Sequence, residues 1–168
     1  NAKILTTDLA KYSTKSPLEP VVTKNNLTYQ EKKSGWQMLW DGKTTKGWRG
    51  ARSETFPADS IWKISNGELS VVTTGGAESS AGGDIVTVEK FGDFELSVDF
   101  KLAPGANSGI KYYVDTEINK GPGSSIGLEY QILDDEIHPD AKLGSHEGSR
   151  TVCSLYDLIQ ADLKKPIK

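Results

Sequence analysis

The sequence predicts an all-β fold of short antiparallel strands, arranged as a sandwich or barrel, and three observations predict it. Apolar and polar residues alternate strictly over 94–101, the period of a strand with one buried face. Short runs rich in β-branched and aromatic residues recur between clusters of Gly, Pro, Asn and Asp. Helical periodicity is confined to a weak candidate at 155–163, which argues against an α/β fold.

The elements follow in order. Residues 1–33 are polar, contain Pro17 and Pro20, show little periodicity and lack an initiator Met. They read as a mature end left by signal removal, a tether or an edge strand, ahead of a β-domain at 34–168. Residues 61–64 and 69–73 flank Ser65-Asn66-Gly67, the signature of a hairpin closed by an Asn-Gly turn. A short strand at 84–88 follows the Gly-rich stretch 75–83, and the alternating segment 94–100 comes next. Pro104-Gly105 turns the chain so that 109–114 runs back, and 128–133 forms another strand after Gly121-Pro122-Gly123. The sequence stops at residue 168, where a further strand is expected, so C-terminal strands of the sandwich are expected to be missing.

Composition narrows the function. The 168 residues are 36% hydrophobic and 26% charged, enough to build a folded core. The net charge is −3 with scattered Lys and Arg, so no basic stripe is available to nucleic acid. No apolar run approaches the roughly 20 residues of a membrane-crossing helix. The lone Cys153 excludes a disulfide framework and reads as a small core residue. Nucleophile-elbow, phosphate-loop and dinucleotide fingerprints are missing, as is the Glu-x-Asp-x-x-Glu strand of sandwich glucanases.

The polar faces of the strands hold the candidate site. Glu129 and Gln131 share one face of 128–132, Lys111 and Tyr113 one face of 109–113, and Glu95, Ser97, Asp99 and Lys101 one face of 94–101. Neighbouring strands would then present carboxylates, amides, lysines and an aromatic ring together, the chemistry that binds sugars. The alternative is the ordinary solvated face of an antiparallel sheet. Asp84 follows Gly82-Gly83, which lets a ligand approach the backbone or simply turns the chain. Asn107-Ser108-Gly109 reads as a ligand-facing segment or as a turn. Asp134 and His138, in an acidic stretch with Asp135, Glu136 and Asp140, are candidate ligands for a divalent cation or a solvated loop. His146, beside Glu147, is a candidate acid or base or a surface residue.

The motifs also occur in a recognisable order. Trp40-Asp41-Gly42-Lys43 leads to Gly47-Trp48-Arg49, then Trp62 with Gly67-Glu68-Leu69, then Gly83-Asp84-Ile85-Val86-Thr87. Phe94-Glu95-Leu96, Phe100-Lys101-Leu102 and Asn107-Ser108-Gly109-Ile110 follow. The most distinctive block runs from Gly127-Leu128-Glu129-Tyr130-Gln131 to Ile132-Leu133-Asp134-Asp135. His138-Pro139-Asp140 and Leu155-Tyr156-Asp157-Leu158 complete the series. The series resembles the 3-keto-disaccharide hydrolase family. That resemblance implies a concanavalin A-like β-sandwich, or jelly roll, export to the periplasm or cell surface, and a glycoside substrate oxidised at C3. The family's later Trp-Asn strand and Asn-Gly hairpin are not found in the sequence.

The implied chemistry assigns roles. A ketone at C3 acidifies the proton on C2; a base removes it, the C1 oxygen leaves, and water adds to the enone. Such a route needs a base, a group that stabilises the enolate oxygen and an acid for the leaving group. Glu129 or His146 would serve as base or acid, and Lys101, Lys111 or a bound cation would polarise the ketone. Arg49, Asp84, Asn107, Gln131 and Tyr156 would orient hydroxyls, with Tyr113 available for stacking. A non-catalytic carbohydrate-binding module is the alternative, and the oligomeric state is left open.

Overall fold

The computed structural model describes residues 2–5, 25–72, 83–118 and 125–162. Nine strands are found among them, with one short α-helix. They are β1 (Ala2–Leu5), α1 (Tyr29–Lys33), β2 (Gln37–Met38), β3 (Trp48–Gly50), β4 (Trp62–Ser65), β5 (Glu68–Val71), β6 (Ile85–Thr87), β7 (Glu95–Val98), β8 (Asn107–Asp115) and β9 (Ile126–Leu133). A 3-10 turn follows at Pro139–Lys142. Every pairing is antiparallel, as the all-β expectation requires. The chain divides into two compact units, Asn1–Phe100 and Lys101–Lys168.

In the first unit the Asn-Gly signal forms the hairpin it predicts. Asn66 and Gly67 take φ of 53° and 73°, the left-handed pair that matches the twist of two antiparallel strands. β4 and β5 pair from Trp62↔Val71 to Ser65↔Glu68. β3 pairs with β6, and Arg49 lies opposite Val86. The N-terminal residues depart from the tether or edge-strand reading. β1 lies between β2 and β7 and pairs with both, from Ala2↔Val98 to Leu5↔Glu95 on one side. Ile4, on this central strand, is buried. Residues 29–33, read as part of a polar leader, form α1. Thr28 caps it and Glu31 reaches back to the Thr28 N–H, a reciprocal cap invisible to apolar periodicity. Lys3 pairs with Glu31, joining the helix to β1.

The second unit is built on β8 and β9, in register from Asn107↔Leu133 to Tyr112↔Leu128. Asn107-Ser108-Gly109 is the start of β8 and not a turn. Tyr113 interrupts the alternation: its φ of 53° and the register shift between Tyr112 and Asp115 place a bulge there. The expected face shared by Lys111 and Tyr113 therefore breaks down, and the Tyr113 ring meets Tyr112 edge-on with centroids 5.5 Å apart. The weak helix at 155–163 does not form among its described residues. Leu155 instead bridges both Tyr130 and Ile159, so the chain turns and adds to the β9 edge.

Candidate functional site

Register places the polar residues of β8 and β9 on one face. Lys111 lies opposite Glu129 and Gly109 opposite Gln131, with Asn107 two positions further along. Lys111 Nζ is 3.9 Å from Glu129 Oε2. The Gln131 amide donates to Asn107 Oδ1 at 3.2 Å. Asn107, Lys111, Glu129 and Gln131 are thus brought together as the alternation predicts.

The middle of this face is half-buried. The Lys111 and Glu129 side chains are 14% and 26% exposed, and Gln131 is 1% exposed. On the opposite face Leu128 and Tyr130 are 36% and 39% exposed. On that same apolar face Ile132 is buried, while Asn107 on the polar face is exposed. Burial, and then a hydrogen bond with Cys153, push the Tyr130 phenol up to about 12. Cys153 is half-buried with a φ of 69°, a partnered side chain at a bend more than a core filler.

A strap of chain holds the outer edge of β9. Gln131 N–H donates to Ser154 O, Cys153 N–H to Gln131 O, and Tyr156 N–H to Glu129 O at 2.8 Å. Arg150 anchors this strap, a role that sequence spacing did not reveal. Its guanidinium donates to Asp140 Oδ1 and to Asp157 Oδ2, each at 2.9 Å, and stacks over the Tyr156 ring. Tyr156 Oη donates to Asp140 Oδ2 at 3.1 Å. Asp157 also accepts from Ser145 N–H and Ser149 Oγ. The Arg150 guanidinium, with these donors, holds the Asp157 carboxyl well below the usual carboxylate range.

Several expected ligands are occupied locally. Gln131 is buried, and its amide is engaged by Asn107. Tyr156 is engaged by Arg150 and Asp140. Asp134 Oδ2 accepts from Gly105 N–H at 2.7 Å and Oδ1 from Glu136 N–H; these bonds, the first foremost, lower its pKa. His138 Nδ1 accepts from Asp140 N–H and caps the 3-10 turn. Asp134 and His138 thus brace their loop, and no cluster of three metal-ligating side chains occurs among the described residues. His146 is exposed, with its Nδ1 3.0 Å from Ser145 Oγ. Lys101 is exposed on the segment before Pro104.

Arg49 and Asp84 belong to the first unit. Arg49 turns its guanidinium onto the carbonyls of Gly50, Ala51 and Ser53, fixing the loop after β3. Asp84 is half-buried, and its carbonyl accepts from Ala51 N–H at 2.8 Å. In the Trp40-Asp41-Gly42-Lys43 motif, Asp41 accepts from Thr44 Oγ1 and from the N–H groups of Thr44 and Lys43. These bonds, the Thr44 hydroxyl first, lower its pKa to about 2. The motif is a turn that presents Trp40 to the core, where its indole N–H donates to Thr44 O.

The fold is all-β, of the sandwich class. A solved structure from Parabacteroides distasonis, provisionally called a glycosyl hydrolase, matches with a TM-score of 0.59 and 24% identity, over 86% of this chain and 64% of that one. Residues 35–168 match the family of the 3-keto-alpha-glucoside-1,2-lyase-like domain, and the chain belongs to that family. It is 39% identical over 137 residues to the 3-keto-disaccharide hydrolase of Bacteroides thetaiotaomicron, over 76% of this chain and 46% of that protein. The chain thus spans about half the length of this curated relative.

Proposed function

We propose that this chain carries part of the active site of a carbohydrate hydrolase that cleaves 3-keto-glycosides by elimination and hydration. Membership of the family supports the substrate class. The observation that carries the site is the half-buried Lys111–Glu129 pair, set directly opposite each other on β8 and β9. Keeping an ammonium and a carboxylate from water is costly, and such pairs concentrate where chemistry uses them. A binding module would need only the exposed amide and aromatic groups.

In this reading Glu129 removes the proton from C2. Lys111 holds the C3 oxygen as it becomes an enolate, and the electron pair expels the C1 oxygen. The leaving oxygen regains a proton from the Glu129 carboxylic acid or from His146. Water then adds across the enone, completing a net hydrolysis. Asn107 orients a hydroxyl, and Gln131 holds Asn107. Lys111, or a bound divalent cation in its place, would supply the positive charge that stabilises the enolate oxygen.

Replacing Glu129 with Gln keeps the shape and removes the base. Turnover of a 3-keto-glucoside is expected to fall about 100-fold or more, measured on folded protein whose melting temperature is lowered by the unpaired Lys111. Release of monosaccharide at the wild-type rate would remove Glu129 from the mechanism. Export to the periplasm or cell surface belongs to the same reading; recovery of the protein only in the cytoplasmic fraction would count against it.

A further inference from the structure

We infer that Gly109 is a positioning residue: its missing side chain is the recess in which the Glu129 carboxylate sits, and any larger residue there displaces the base. This rests on the reading of Glu129 as the base. A Cβ built on Gly109 would lie 2.7 Å from both Glu129 Cγ and Cδ and would overlap Oε1. Real Cβ atoms do not approach so closely, so one partner must move.

The glycine is not needed for backbone reasons. Gly109 lies within β8, paired opposite Gln131, and is not among the glycines with positive φ. Glycine inside a strand weakens it, and a β-branched residue would serve the sheet better. What glycine provides here is space, on the polar side of the hairpin, at the position diagonal to Glu129.

The consequences for Glu129 follow from its surroundings. Lys111 stands directly across from it, and its own carbonyl accepts from Tyr156 N–H. The Glu129 backbone is therefore held in place, and the side chain can answer an added methyl only by swinging its carboxylate out of the recess. A shift of about 1 Å in a reacting group costs on the order of 100-fold in rate.

The test is a cycle of four intact proteins: wild type, Gly109→Ala, Glu129→Ala and the double variant. Gly109→Ala is expected to lower the melting temperature by roughly 5 °C. In the Glu129→Ala background the same substitution should cost less than half as much, because the clashing carboxylate is gone. On a 3-keto-glucoside, Gly109→Ala should lose about tenfold or more in kcat with KM little moved. An equal fall in melting temperature in both backgrounds overturns the inference, as does an unchanged kcat for Gly109→Ala. Should Gly109→Ala fail to fold, soluble double variant supports the inference and insoluble double variant overturns it. Full turnover by Glu129→Gln overturns the functional reading instead, and the coupling in melting temperature is then judged by itself.

Discussion

At the scale of single residues, Gln131 shows how a polar side chain can sit deep in a sheet. It is 1% exposed, and its amide is bonded to Asn107. Truncating it to Ala would leave the Asn107 carbonyl without that donor and open a void. A loss of about 1–3 kcal/mol is expected from the missing hydrogen bond, read as a lower urea midpoint with unchanged slope. An unchanged midpoint would mean that Asn107 finds another donor. The alternation of 128–133 placed Gln131 and Glu129 on one face correctly. It could not show that Gln131 is buried, because alternation marks which residues share a face and not how deeply that face is covered. Gly109 was legible as the start of a strand or as part of a turn or ligand-facing segment; the carboxylate that fills its place comes from another strand.

At the scale of elements, the hairpin of β4 and β5 was legible because its turn chemistry is local: Asn66 and Gly67 carry the information themselves. The strap after the 3-10 turn was not. Its shape depends on Arg150 reaching both Asp140 and Asp157, and on positive φ at Cys153 and Asp157. Apolar spacing over 155–163 suggested a helix, and long-range ion pairing overrode it. The strap should have an acid limit. Asp157 has a pKa below that of an unfolded Asp, about 3.9, so its contribution is complete above that pH and is lost as the folded carboxyl titrates at lower pH. The melting-temperature gap between wild type and Asp157→Asn is therefore expected to be largest near neutrality and to narrow below about pH 4. A gap independent of pH would assign the Asp157 contribution to packing.

At the scale of the whole molecule, the all-β class and the family were both legible, because turns, alternation and ordered motifs survive in a single sequence. The role of residues 2–5 was not, since four residues carry too little pattern to reveal two partners. The strand they form is joined to β7 across roughly 90 residues of chain, and closing so long a loop is an entropic burden carried before any pairing is gained. Before β7 pairs, β2 can cover one flank of β1, but the other flank stays bare. For that interval Ile4 and its neighbours form an open template for foreign strands, and arrival of β7 is the event that closes it.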